Sequence, residues 1–466
     1  MSVPHALLTS LTGTIGFDKE AFENIHASGA QVTSIRINPY KQKTVGDERV
    51  RIQAADVLSH FTNTSHIPWC ENGYYLSERP SFTTDPLFHA GCYYVQEPSS
   101  MFLEQVVKTC FRDHSVTPYR VLDLCAAPGG KSTHLSGLFP KGLVVANEVI
   151  KTRSGILAEN AIKWGNDNMV VTSNDAHDFQ KLRGYFDLIV VDAPCSGSGM
   201  FRKDPEAINE WSLENVDYCS KRQKRILEDV WPALKENGIL VYCTCSYSQE
   251  ENEDILDWLS KNVELESVRI DIEQYAGIIE SESEEKKCWG YRFYPDKIKG
   301  EGFFISCVRK CSIEGETHVT PKEFLNASPN EKNTIAPFVQ DPPAWDYIHT
   351  EEEITLINKI WLPDVATIFS ALYVKKMGLR AGRVIKDQLI PSHELAMSNQ
   401  LTGTTTKINI EKTMALEYLR KKDISIATST KGWLLVSFNG FALGWIKALP
   451  NRVNNYYPAS FRILKD

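Results

Sequence analysis

The chain is 466 residues long, more than one hydrophobic core usually supports, so we expect several domains. Hydrophobic residues make up 42% and charged residues 24%, which is typical of a globular protein and excludes disordered, fibrous and membrane classes. The net charge of −8 argues against a nucleic-acid partner, because affinity for phosphates comes largely from Lys and Arg.

The distribution of charge reverses that impression. Residues 371–466 contain 15 Lys and Arg but 6 Asp and Glu, a net charge of +9, which leaves −17 for residues 1–370. A basic C-terminal region is typical of RNA-binding modules, although a solvated charged surface would look the same.

The N-terminal residues lack the basic and apolar regions of a secretory signal, and we find no apolar run near the ~18 residues of a membrane span. We therefore expect a cytoplasmic protein without membrane contact. The 11 Cys are widely spread, which excludes a disulfide framework, and the close pair Cys243 and Cys245 does not have the spacing of zinc ligands. We expect no metal.

The first 90 residues are predicted to form a small α+β domain. A strand-like run at residues 34–38 is halted by Pro39, and a turn-rich segment follows at 67–73.

Residues 91–311 are predicted to form an α/β domain with a parallel sheet covered by helices on both faces. Apolar strands alternate with helical segments, and we place the strands at residues 120–124, 143–147, 186–192, 239–243 and 302–308. The acidic stretch 280–285 is predicted to be an exposed loop before the last strand.

Residues 312–390 are predicted to be a proline-rich linker followed by a small α/β domain. Residues 391–466 alternate strongly between apolar and polar side chains near their end. The dipeptide Asn439-Gly440 predicts a hairpin there. We expect a small, basic, β-rich module at this end.

A turn of small residues follows the first strand of the α/β domain and opens a helix. Small residues let a ligand approach the backbone, and the helix N-terminus offers free N–H groups to an anion. The turn matches neither the dinucleotide fingerprint nor the triphosphate loop, which disfavours nicotinamide cofactors and nucleoside triphosphates. Its residues are Cys125, Ala126, Ala127, Pro128, Gly129, Gly130 and Lys131.

Acidic side chains follow the next two strands. Glu148 is placed to accept hydrogen bonds from ribose hydroxyls, and Asp175 lies where it can meet an adenine amino group. Together with the turn, they predict a nucleoside pocket at the carboxyl edge of the sheet. Each acid taken alone would also suit a helix cap.

Two cysteines and a carboxylate follow the fourth and fifth strands. Asp192 and Cys195 end the fourth strand, and Cys245 follows the fifth. Because neighbouring strand ends meet at one edge, these three side chains are expected to converge beside the cofactor. A lone Cys is more often a small buried hydrophobe, but both thiols lie in loops rich in Ser and Gly.

The motifs DLCAAPGGK, DAPCSGSG and CTCS, in this order, resemble the NOL1/NOP2/sun family of RNA 5-methylcytosine methyltransferases. The resemblance extends through residues 95–100, 201–205 and 300–304. It implies a Rossmann-like class I methyltransferase core that uses S-adenosylmethionine (SAM), an N-terminal α+β segment and a C-terminal PUA-like RNA-binding module. This arrangement is similar to the bacterial branch that modifies small-subunit (16S) ribosomal RNA.

The resemblance also implies roles for the site residues. Cys245 is the nucleophile that attacks the cytosine, and Cys195 assists release of the product. Asp192 hydrogen-bonds the cytosine ring nitrogen, and Lys131 orients groups nearby. The SAM contacts fall on residues 125–131, Glu148, Asp175 and Asp192.

The expected partner is RNA, either 16S ribosomal RNA or the small ribosomal subunit, bound by a monomer that does not act on DNA. Four basic side chains on one predicted helix are candidates for contacts with RNA phosphates: Lys221, Arg222, Lys224 and Arg225. The same residues would equally suit the solvated face of a helix. Transfer RNA as the substrate, a non-catalytic RNA-binding assembly factor and a small-molecule methyltransferase remain as alternatives.

Overall fold

The computed structural model describes residues 3–46, 48–313, 315, 319–403, 405–426 and 428–464. No helix within these ranges is long and apolar enough to cross a membrane.

The N-terminal region combines short helices with a four-stranded antiparallel sheet. The predicted strand at 34–38 is confirmed as β1, which lies between β5 and β6 in the sheet order β4-β5-β1-β6. A separate hairpin is formed by β2 and β3. The elements are α1 His5–Ser10, α2 Lys19–Ala27, β1 Thr33–Ile37, β2 Gln42–Val45, β3 Glu48–Arg51, α3 Ala54–Leu58, β4 Thr64–His66, β5 Gly73–Leu76, α4 Pro86–His89 and β6 Tyr93–Val95.

The central region contains the predicted parallel sheet with helices on both faces. Its elements are α5 Leu103–Cys110, β7 Arg120–Asp123, α6 Gly130–Leu138, β8 Leu143–Asn147, α7 Lys151–Trp164, β9 Met169–Thr172, β10 Phe186–Asp192, α8 Ala207–Glu210, α9 Leu213–Val230, β11 Leu234–Thr244, α10 Glu253–Asn262, β12 Leu265–Ser267, β13 Ile279–Glu282, β14 Trp289–Phe293 and β15 Phe303–Lys310.

The order of the strands determines where a ligand can bind. Strands β11-β10-β7-β8-β9 are parallel, while β15, β14 and β13 extend the sheet antiparallel beyond β11. The chain runs from β7 outward to β8 and β9, and then crosses to β10 and β11 on the other side of β7. Such a switch opens a crevice at the carboxyl ends of the strands, between β7 and β10.

Alternate residues of the central strands enter two different cores. Val121 and Val144 pack into the core on one face of the sheet, while Leu122 and Val145 pack into the core on the other. Burial of both faces explains why these strands are apolar throughout, as parallel strands generally are. The predicted Rossmann-like fold is confirmed.

The prediction of an exposed loop at residues 280–285 is confirmed for the exposed turn at Glu284 and Glu285 and wrong for residues 280–282. Residues 279–282 form β13, which pairs with β14 at the edge of the sheet. Alternation turns Ser281 inward, where its Oγ donates a hydrogen bond to Glu253 Oε1 at 2.7 Å, and leaves Glu282 exposed. Acidic side chains on an edge strand discourage pairing with other chains, so this composition suits the position.

The region after β15 adds a second small sheet and completes the first. Strands β16, β17, β19 and β20 form an antiparallel sheet, while β18 pairs with β9 and so extends the central sheet. The elements are α11 Pro329–Ile335, β16 Trp345–Thr350, β17 Glu353–Asn358, α12 Leu362–Ala371, β18 Val374–Lys376, β19 Leu379–Ile385, β20 Gln388–Pro391 and α13 His393–Met397.

The C-terminal region has the predicted β-rich character. Its elements are β21 Lys407–Asn409, α14 Lys412–Leu419, β22 Gly432–Phe438, β23 Phe441–Leu449 and β24 Arg452–Asn455. The hairpin at Asn439-Gly440 is confirmed, since both residues have positive φ, 49° and 80°, as the tight turn between β22 and β23 requires. Ile35 and Val436 belong to one core, so the two ends of the chain pack together.

Candidate active site

The turn after β7 lies at the crevice. Gly129, with φ of 115°, adopts the left-handed conformation that glycine allows, and α6 begins at the next residue. Asp123 ends β7, is fully buried, and its Oδ2 accepts a hydrogen bond of 2.6 Å from Ser132 Oγ in the first turn of α6. The turn therefore presents the N-terminus of a buried helix to the crevice.

A first cavity of about 360 Å³ occupies the crevice. The predicted site residues that line it are Cys125, Ala127, Glu148, Asp175, Asp192, Cys195 and Cys245. Glu148 is buried, and its Oε1 accepts a hydrogen bond of 2.9 Å from the backbone N–H of Ile150. Asp175 caps a short helical turn by accepting a hydrogen bond of 3.1 Å from the N–H of His177, so it acts as a cap and also lines the cavity.

A second cavity of about 300 Å³ lies on the other side of the turn. Ala126, Pro128, Gly130 and Lys131 line this cavity, as do Tyr94, Gln96, Lys203 and Phe303. The two cavities share four lining residues, namely Cys125, Ala127, Asp192 and Cys245. Gly129 lines neither of them, and its part is to turn the chain into α6.

The two predicted cysteines are in contact where the cavities meet. The Sγ atoms of Cys195 and Cys245 lie 2.9 Å apart, and both residues are free thiols. The hydrogen bond with Cys245 and then burial raise the pKa of Cys195 well above its ordinary value. Cys195 is thus a neutral thiol at neutral pH, and it can donate its S–H to the sulfur of Cys245.

Lys131 and Asp192 form an ion pair beside the cysteines, with 2.8 Å between Nζ and Oδ2. Burial alone would lower the pKa of Lys131, but the combined attraction of Asp192, Cys243 and Asp123 raises it above its ordinary value. The side chain of Asp192 stays 38% exposed, which leaves it accessible from the cavities. Cys243 is fully buried, with its Sγ 3.6 Å from Asp192 Oδ1.

The basic side chains of α9 lie on two different faces of the helix. Arg222 and Arg225 line the first cavity, and Arg225 Nη2 lies 3.6 Å from Asp175 Oδ2. Lys221 is instead paired with Asp217 on the exposed face of the helix, at 2.6 Å. No local pattern in the sequence indicates that two of these side chains line the first cavity, because that contact depends on how α9 packs against the sheet.

Glu251 is a buried residue of the site that the sequence analysis missed. Its carboxylate accepts hydrogen bonds from the residues that follow each of the two cysteines, Ser196 and Ser246. Glu251 lies six residues after Cys245 among other acidic residues, and such a sequence is typical of the solvated first turn of a helix.

Comparison with known proteins assigns the chain to a family. Family models match residues 3–98, 114–309 and 405–463, and describe the N-terminal domain of 16S rRNA methyltransferase RsmF, 16S rRNA methyltransferase RsmB/F and the methyltransferase RsmF PUA domain. The ribosomal RNA small subunit methyltransferase F of Shewanella oneidensis is 31% identical over 84% of each chain. The chain belongs to this family. The Aliivibrio salmonicida protein of the same name is 29% identical, again over 84% of each chain.

Solved structures share the fold over 66% of the chain. A methyltransferase homolog protein from Pyrococcus horikoshii superimposes with a TM-score of 0.51 at 26% identity, covering 66% of this chain and 100% of that one. NSun6 from the same organism superimposes with a TM-score of 0.53 at 20% identity, covering 66% and 98%.

This family member is a SAM-dependent RNA methyltransferase, as the sequence motifs predicted. The first cavity fits SAM by its chemistry. Cys125 and Ala127 of the small-residue turn line it beside the partly bonded carboxylates of Glu148 and Asp175, which suit the hydroxyls of a ribose and an amino group.

Proposed function

We propose that the enzyme methylates carbon 5 of a cytosine in 16S ribosomal RNA through a covalent bond to Cys245, with Cys195 assisting product release. The observation that carries this proposal is the 2.9 Å contact between the two sulfurs at the junction of the cavities. A nucleophile at that junction can reach a base in the second cavity and face a methyl donor in the first.

The first step solves a problem of reactivity, because carbon 5 of cytosine is too poor a nucleophile to take a methyl group unaided. The Cys245 thiolate adds to carbon 6, and the electron pair of the 5,6 double bond moves onto carbon 5. The neutral Cys195 thiol, 2.9 Å away, stabilises the thiolate beforehand by donating a hydrogen bond to it.

Asp192 and Lys131 stabilise this adduct. Addition of the thiolate makes the cytosine ring nitrogen more basic, so it takes a proton from water, and the carboxylate of Asp192 accepts a hydrogen bond from the resulting N–H. Lys131, bonded to Asp192 Oδ2 at 2.8 Å, fixes the orientation of that carboxylate before the base arrives. Preorganised groups of this kind act without rearranging during the reaction.

Four groups hold the methyl donor in this proposal. The 125–131 turn contacts its amino-acid portion through Cys125 and Ala127. Glu148 accepts from the ribose hydroxyls, Asp175 accepts from the adenine amino group, and Asp192 closes the side toward the base. SAM, when bound, supplies the methyl group that carbon 5 accepts.

Release reverses the addition. Water in the cavity accepts the proton from carbon 5, its bonding electrons restore the 5,6 double bond, and the bond between carbon 6 and sulfur breaks. The ring nitrogen gives back its proton to water in the same stage. Cys245 departs as a thiolate, which the S–H of Cys195 again stabilises. Without Cys195 the methylated adduct should persist.

The choice of 16S ribosomal RNA rests on the names of the relatives and on the basic C-terminal module. Ribosomal RNA is modified in the bacterial cytoplasm, where we place the enzyme. The test is bisulfite sequencing of total RNA from a deletion strain complemented with wild type or with Cys245→Ala. We expect one or more 16S cytosines to lose protection in the deletion and the Cys245→Ala strains alone. Unchanged 16S RNA with loss of protection in transfer RNA would contradict the proposed substrate.

A further inference from the structure

Glu251 joins the two loops that carry the cysteines. The residue is fully buried and lies in a short helical turn after β11. Its Oε2 accepts hydrogen bonds of 2.5 Å from both Ser196 Oγ and Ser246 Oγ. Its Oε1 accepts from the backbone N–H of Ser196 at 2.8 Å and from Gln223 Nε2 at 3.1 Å. One carboxylate therefore bonds to the residue directly after each cysteine.

We propose that Glu251 is a positioning residue that holds Cys195 and Cys245 at contact distance for the covalent step. This role rests on the proposed function, since it has a purpose only if the two thiols act together.

Burying the carboxylate of Glu251 costs more free energy than filling the same space with an apolar side chain would. The four donors to the carboxylate are hydroxyl, amide and carboxamide groups, none of which carries a positive charge, so a buried anion is stabilised by neutral hydrogen bonds alone. Apolar side chains of similar volume would fill the space without that desolvation penalty. A buried carboxylate at this place is better explained by the geometry that it imposes on the two loops.

The backbone of Glu251 is itself fixed to the catalytic strand. Tyr242, in β11, donates a hydrogen bond of 2.6 Å from its hydroxyl to the carbonyl oxygen of Glu251. The next residue, Asn252, donates from Nδ2 to the carbonyl oxygen of Ser246 at 2.9 Å and accepts from Thr244 Oγ1 at 2.7 Å. Glu251 therefore links β11, through its backbone, to the loop that follows β10, through its carboxylate.

The charge of Glu251 also acts on the thiol. The titratable side chains that respond to it are Cys195, Cys219 and Tyr242, and in each case the negative charge is one of the causes that raise the pKa. Removal of the carboxylate would loosen the loops and at the same time weaken the preference of Cys195 for its neutral form.

The test measures single-turnover methyl transfer by the enzyme that keeps both cysteines, with SAM and small ribosomal subunits purified from a deletion strain. Glu251→Ala should slow methyl transfer by about 100-fold, since a misplacement near 1 Å has effects of that size. Glu251→Gln, which keeps an acceptor oxygen, should restore the rate to within about tenfold of wild type. The matched control is Glu250→Ala, which removes the neighbouring, exposed carboxylate and should leave the rate unchanged.

Separate measurements distinguish positioning from loss of the fold. Glu251 does not line the first cavity, so the Kd for SAM should be the same in Glu251→Ala and Glu250→Ala. If Glu251→Ala does not fold, Ser246→Ala removes one of the hydrogen bonds and should slow single-turnover methyl transfer by about tenfold.

The outcomes separate the two proposals. If neither Glu251→Ala nor Ser246→Ala slows methyl transfer, the positioning role is overturned while the proposed function stands. If Cys195→Ala accumulates no protein–RNA adduct, the covalent mechanism is overturned and the positioning role with it.

Discussion

The carboxylate of Asp192 and the ammonium group of Lys131 are 2.8 Å apart, and together they join the end of β10 to the first turn of α6. Asp192 belongs to the wall of both cavities, so it touches whatever lies in either. An ion pair that is already formed in the free protein keeps the carboxylate in one orientation.

Asp192→Asn should lower kcat by about 10²- to 10³-fold, the usual effect of losing one preorganised group that stabilises a transition state. The readout is transfer of labelled methyl groups to small subunits. The matched control is Asp187→Asn, on the same strand. The carboxylate of Asp187 lies 2.6 Å from Lys235 Nζ and lines neither cavity. Equal losses of kcat in the two variants would contradict the role of Asp192.

Glu148→Gln should weaken SAM binding by about 10- to 100-fold, because a hydrogen bond to a charged group contributes roughly 1.5–3 kcal/mol. Asp175→Asn should weaken it less, since this carboxylate is more exposed and is already bonded to the N–H of His177. Titration calorimetry gives both Kd values. Asp178→Asn, three residues after Asp175 and outside the cavity lining, is the control that should bind as wild type does.

The stability of the protein should depend on pH through Asp123. Burial raises the pKa of this carboxyl from 3.8 to about 7 in the folded protein. Because the folded state holds the proton more tightly, the contribution of Asp123 to stability is fully present below about pH 4 and is lost as the pH rises to about 7.

Asp123→Asn does not titrate, so it isolates this effect. The free energy of unfolding of wild type relative to the variant should fall by roughly 1 kcal/mol per pH unit up to about pH 7 and then level off. Urea denaturation at pH 5, 6, 7 and 8 measures the difference. A difference that stays constant over this range would show that Asp123 does not carry the shifted pKa.

Gly440→Ala should destabilise the contact between the two ends of the chain. A Cβ at this position would lie 2.6 Å from the carbonyl oxygen of Thr44, and the φ of 80° adds backbone strain, so we expect a loss of about 1–3 kcal/mol. Gly432→Ala is the control, since its φ of 102° is equally strained but nothing lies within 4 Å. Thermal unfolding measures the Tm of both variants. An equal decrease in Tm for Gly440→Ala and Gly432→Ala would argue against the steric contact.

Much of the central fold could be predicted from the sequence because its determinants are local. Apolar runs such as residues 143–147 are strands by composition alone, and the turn residues after them mark the carboxyl edge. Cys195 and Cys245 were predicted to converge because neighbouring parallel strands end at the same edge, and their sulfurs do meet. The four domain ranges drawn from the sequence stay a prediction.

What was missed depends on contacts between distant segments. Strand β18 joins the central sheet from a segment about 200 residues after its partner β9, and no local pattern indicates that pairing. Glu251 lies in an acidic run that looks solvated until the loops after β10 and β11 close over it. Arg222 and Arg225 line the first cavity only because α9 crosses the sheet beside it.

The covalent role of Cys245 is the central claim, and trapping the adduct tests it most directly. Wild type and the variants Cys195→Ala, Cys245→Ala and Cys195→Ala/Cys245→Ala would each be incubated with SAM and small subunits from a deletion strain, and then run on a denaturing gel. We predict that Cys195→Ala alone accumulates a slowly migrating, RNase-sensitive species, and that Cys245→Ala transfers no methyl groups. An adduct that persists in the double variant, or full turnover by Cys245→Ala, would contradict the account.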